Sequence, residues 1–95
     1  MTTTYHATMM HGRRGGEGKY DFDAPDDRFL MTPVRIMRFF MDEVKKQNHL
    51  SYIDYEINAA FKNKEAQTVA VVGVVSFSDS DEQPFVCMIS PKDND

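Results

Sequence analysis

The run Thr68-Val-Ala-Val-Val-Gly-Val-Val-Ser-Phe77 sets the terms for the rest of the chain. Its valines fall on odd and even positions alike, so a strand built from it is apolar on both faces. At ten residues it is far short of the roughly 20 apolar residues that span a bilayer. Polar turn-forming segments bound it on both sides. It therefore reads as a strand that other parts of the chain must cover, on two sides rather than one.

The material available for that cover is limited. Residues 1–95 read as one small domain, 41% hydrophobic and 12% aromatic. That is enough for a core, but a domain of this size buries only about 60–65% of its unfolded surface. Thr2 to Met10 alternates loosely, with Tyr5, Ala7 and Met9 on one side and His6, Thr8 and Met10 on the other. Residues 11–18 hold four glycines, a density that predicts a flexible loop. Lys19 to Ala24 alternates again, with Tyr20 and Phe22 inward and Asp21 and Asp23 outward. Strand, loop and strand make a hairpin.

The one convincing helix begins at Pro33. Thr32 is placed to cap it, proline suits the first helical position, and Met31 and Ile36 have the spacing of a hydrophobic staple. Ile36, Met37, Phe40, Met41 and Val44 share one face at 100° per residue. The helix should fade at Gln47-Asn48, where Lys45 and Lys46 suit the negative end of the dipole. From Tyr52 to Phe61 the period returns to two, putting Ile53, Tyr55, Ile57, Ala59 and Phe61 on one face. The valine-rich strand follows, then an acidic loop over 78–83, a last strand over 84–90 and a frayed tail at 91–95. The order ββαβββ predicts an α+β domain, a mostly antiparallel sheet packed against one amphipathic helix.

A helix about 10 Å wide shields two or three strands spaced about 4.8 Å apart, and on one face only. The valine-rich strand is apolar on both faces, and so is the last one, with Phe85, Cys87 and Ile89 opposite Val86 and Met88. The second face calls for loops, the N-terminal strand or a second copy of the chain. A homodimer is the simplest answer.

Charge and cysteine content narrow the function classes. A net charge of −4 argues against a protein that coats nucleic acid or an anionic membrane. The charge is uneven, +1 over residues 1–48 and −5 over 49–95. Cys87 has no second cysteine to pair with, the first residues lack the apolar core of a signal peptide, and a cytoplasmic location is the default.

Chemistry-bearing motifs are sparse. Arg13 and Arg14 on a glycine-rich backbone, with Lys19, Arg35 and Arg38 in the same half, are the candidates for contact with phosphate or nucleic acid. The glycine spacing matches neither a dinucleotide nor a P-loop fingerprint. His6, His11 and His49 have no recognised metal-ligand spacing, so no metal or cofactor is expected. His6 or His11 with a hairpin carboxylate is the least demanding catalytic arrangement the sequence offers. Cys87 sits among bulky apolar residues and reads as buried and inert. Phe39 lies off the apolar stripe among Arg35, Arg38, Asp42 and Lys46, and is the candidate partner contact. The leading expectation is a non-enzymatic domain acting by association with itself or a protein partner. Anion contact and a small His/Asp enzyme are the alternatives.

Overall fold

A computed structural model describes residues 2–12, 16–25, 31–47 and 51–92. Five strands form one antiparallel sheet: β1 (Thr3–His11), β2 (Glu17–Ala24), β3 (Asp54–Asn63), β4 (Thr68–Ser78) and β5 (Asp81–Pro91). One helix among the described residues, α1 (Pro33–Lys46), lies between β2 and β3 in sequence. The sheet order is β2-β1-β5-β4-β3. Short connections make β1–β2 a hairpin and β3–β4–β5 a meander, and β1 joins the two by pairing with β5. The middle of the sheet is thus β5, not the valine-rich β4.

The helix takes its place because its stripe is continuous. Ile36, Met37, Phe40, Met41 and Val44 are all buried. They meet Tyr5, Ala7 and Met9 of β1, Phe22 and Ala24 of β2, Val69, Val71 and Val75 of β4, and Phe85, Cys87 and Ile89 of β5 in one core. Phe40 is packed between two rings, 5.8 Å from Tyr20 and 5.4 Å from Phe22. At the helix start the expected cap is absent. Thr32 is in extended conformation with no side-chain hydrogen bond, and its carbonyl accepts from the Ile36 amide at 3.0 Å. The helix ends at Gln47, in a right-handed conformation, and Gln47 Nε2 donates to Glu43 at 2.9 Å. Asn48 lies outside the described residues.

Three further sequence expectations need correction. First, β3 does not keep one face from 53 to 61. A bulge between Ile57 and Ala59 inserts a residue against β4, so Ile57 opposes Gly73 while Ala59 opposes Val72. Beyond it, Ala60 and Lys62 turn toward the helix side and Ala59 and Phe61 turn away. Tyr52, expected outward, is buried and donates to the Met41 carbonyl at 2.9 Å, whereas Ile53 is exposed.

Second, the acidic loop is short. β4 and β5 run on to Ser78 and Asp81, leaving Asp79 and Ser80 as the turn. At the other end of β5, Pro91 is still in the strand and the Lys92 amide donates to Thr4 O at 2.7 Å, so residues 91 and 92 are not frayed; 93–95 lie outside the described residues. Third, β4 is covered on one face only. Val69, Val71 and Val75 are buried beneath α1, while Val72 on the far side is exposed.

Candidate functional site

Strand register fixes what the uncovered face presents. One row across the sheet runs Glu17, Met10, Val86, Val72 and Ala59; the next runs Lys19, Thr8, Met88, Ala70 and Phe61. Pro84, Val74 and Glu56 form a shorter row alongside the first. Within these rows Met10 is 55% exposed, Phe61 62%, Val72 36%, Val86 48% and Met88 52%. Those five side chains expose on the order of 500 Å² of apolar surface, near the top of the range for the largest patch on an ordinary monomer.

Polar rows border the patch at both ends. On one side Asp21 and His6 stand in register with Ser90, and Asp23 with Thr4. On the other stand Glu82, Ser76 and Asp54. β2 adds Glu17, Lys19, Asp21 and Asp23 along one lateral edge. An apolar centre within a charged rim is the anatomy of a protein interface.

The bordering row contains the one His–carboxylate contact that sequence reasoning raised. His6 Nδ1 lies 2.7 Å from Asp21 Oδ1, and Lys92 Nζ bonds the other carboxylate oxygen at 2.8 Å. Lys92 first, and His6 second, hold the Asp21 carboxyl below its ordinary range, and Asp21 raises the Lys92 ammonium in turn. All three side chains are about half exposed. Asp21 thus serves two partners at once and gives His6 only a shared carboxylate. His11 lies on the other side of β1, its ring 4.9 Å from Phe77, and His49 lies outside the described residues. Among the described residues no three His, Cys, Asp or Glu side chains converge to hold a metal.

Of the candidate anion contacts, the three among the described residues do not gather on one face. Arg13 and Arg14 lie outside the described residues. Lys19 is on the open face, in register with Thr8. Arg35 and Arg38 are on the solvent side of α1, across the sheet from it, where they line a groove of about 400 Å³ with Thr32, Val34, Phe39 and Asp42. Phe39 is partly buried against the core, and its remaining surface lines that groove. A second groove of about 480 Å³ between α1 and β3 mixes Arg38 with Asp54 and Glu56. Cys87 is on the helix side, and burial pushes its thiol up to about 12.

The residues of the open face were only half visible beforehand. Val86 and Met88 stand out as the second apolar side of β5, and Met10 shares a parity with His6 and Thr8. Phe61 did not stand out, because the bulge that turns it outward leaves no mark in the alternation. No helix among the described residues is long and apolar enough to cross a membrane. No protein-family model matches the chain, and neither a curated protein nor a solved structure matches it.

Proposed function

We propose that this chain is an association domain whose working surface is the open face of the sheet. The observation that carries the reading is the contiguous exposed set Met10, Phe61, Val72, Val86 and Met88, set on a five-stranded sheet and framed by charge. Left in water, an apolar patch of about 500 Å² forgoes on the order of 10 kcal/mol of burial free energy at roughly 25 cal/mol per Å². Within the chain α1 already seals the other face, where Val69, Val71, Phe85, Cys87 and Ile89 are at most 2% exposed. The open face is therefore surplus to the core of the single chain, and its value lies in contact with another surface.

The test separates a working surface from a folding surface. In the doubly substituted Val86→Lys, Met88→Lys chain, far-UV circular dichroism and denaturant unfolding at low protein concentration should match the parent within about 1 kcal/mol, the scale of surface substitutions. Apparent solubility should rise. A variant that unfolds would make the face part of the monomer's own core and end the reading.

A further inference from the structure

We infer that the occupant of the open face is a second copy of this chain, packed sheet on sheet about a twofold axis perpendicular to the strands, between the two apolar rows. This rests on the reading of the open face as the working surface and names its partner. Area supports it first. A stable interface takes about 800 Å² from each partner, some 60% of it apolar, so the roughly 500 Å² of apolar surface on the open face is what one half of such an interface supplies.

Shape supports it more specifically. A twofold interface must be complementary to itself. On three strands one of the two rows carries a large side chain and the other a small one: Met10 and Thr8 on β1, Val72 and Ala70 on β4, Phe61 and Ala59 on β3. An axis between the rows exchanges them. Met10 then stands over the partner's Thr8, Val72 over the partner's Ala70, Phe61 over the partner's Ala59, and Val86 over the partner's Met88. On those three strands each large group meets a small one, as interdigitating sheets about 10 Å apart require, while on β5 the two apolar side chains Val86 and Met88 meet each other beside the axis.

Charge agrees with the same operation. At the β2 edge the row that holds Met10 ends in Glu17 and the row that holds Thr8 ends in Lys19. Exchanging the rows places Glu17 against the partner's Lys19, twice in one dimer. A twofold along the strands fits worse. It sets Met88 on the partner's Met88, Thr8 on the partner's Ala70, and the Lys19 ammonium over the partner's Phe61.

Sedimentation equilibrium of the full chain from about 1 to about 500 μM tests the assignment over the affinity range of ordinary dimers. The parent should reach twice the 10.9 kDa of the chain, and Val86→Arg and, independently, Met88→Lys should stay at 10.9 kDa. Glu17→Lys alone and Lys19→Glu alone each oppose like charges at two rim pairs and should weaken the dimer about three- to tenfold. The double reversal should restore the parent constant. A parent that remains single at every concentration overturns the second copy, while folded Val86→Lys, Met88→Lys chains would still leave the face open to another partner. A dimer that survives Val86→Arg, or charge reversals that fail to compensate, overturns the arrangement.

Discussion

Ile57 and Phe61, four residues apart in β3, stand on opposite faces of the sheet: Ile57 opposes Gly73 on the helix side and Phe61 opposes Ala70 on the open side. Even spacing in a regular strand keeps two residues together; the bulge at Ile57/Ala59 separates them. The consequence is measurable. Phe61, 62% exposed, should accept replacement by serine at a cost within about 0.5 kcal/mol in the dilute chain, the ordinary range for surface positions. Phe40, fully buried between Tyr20 and Phe22, should lose about 3–5 kcal/mol on replacement by alanine. Urea unfolding of the two variants decides it, and equal losses would place Phe61 in the core.

Gly73 owes its identity to the same bulge. It sits opposite Ile57 and beside Phe85 in register. A Cβ at this position would fall against the backbone carbonyl of Glu56, and 2.9 Å from a ring carbon of Phe85. Backbone cannot swing aside as a side chain can, so Gly73→Ala should destabilise the fold by about 1–3 kcal/mol, the range for overpacking a filled core. In the same unfolding measurement an unchanged midpoint would mean that β3 and β4 separate freely at the bulge.

These two positions show where sequence reasoning reaches and where it stops. The helix was legible because Ile36, Met37, Phe40, Met41 and Val44 repeat at a period only a helix satisfies, and one stripe implies one buried face. The hairpin was legible for a similar reason, Tyr20 and Phe22 alternating with Asp21 and Asp23. The path of β3 was not. A bulge adds one residue and changes parity without any change in composition, so Ala59 and Phe61 looked continuous with Ile57. Tyr52 was missed because its hydroxyl is satisfied by the Met41 carbonyl, a partner eleven positions away that no local pattern announces. The surplus of apolar surface was visible from the valine run and from the two apolar sides of the last strand. Which valines were covered was not, since parity separates two faces without saying which one meets the helix.

Stability should fall in alkali, and the onset identifies the group. Burial pushes the Cys87 thiol from 9.0 up to about 12, and burial likewise pushes the Tyr52 hydroxyl from 10.0 up to about 12. Both are neutral acids whose folded value lies above the unfolded one. Their contribution is therefore complete below the unfolded value and is lost as pH rises through the folded one. Denaturant midpoints should hold to about pH 9 and then decline toward pH 12. Cys87→Val should remove the earliest part of the decline and leave the part that begins near pH 10, where unfolded Tyr52 ionises. A flat profile from pH 9 to pH 11 would mean that the thiol is accessible in the folded chain, and rapid labelling of native protein by a thiol reagent would report the same.

Salt separates association through the open face from contact with an anion. Each copy carries a net charge of −4, so two copies approach against a mutual repulsion that added ions screen within a Debye length of about 10 Å at 0.1 M. The apolar centre of the patch is insensitive to that screening and is strengthened by salts excluded from protein surface. Dimerisation of the parent chain should therefore tighten between about 20 mM and about 500 mM salt, with the two Glu17–Lys19 rim pairs giving back only part of the gain, as exposed pairs contribute little. Phosphate or nucleic-acid contact through Arg13, Arg14, Lys19, Arg35 and Arg38 obeys the opposite rule, because it releases counterions and weakens steeply as salt rises. Sedimentation of the protein alone, and fluorescence titration with a labelled single-stranded RNA, over the same salt series put the two slopes side by side. A self-association that tightens with salt, beside RNA binding that is absent even at the lowest salt, is the expected result. A dimer that dissociates as salt rises would mean that charge rather than the Met10, Val72, Val86, Met88 and Phe61 surface holds the copies together.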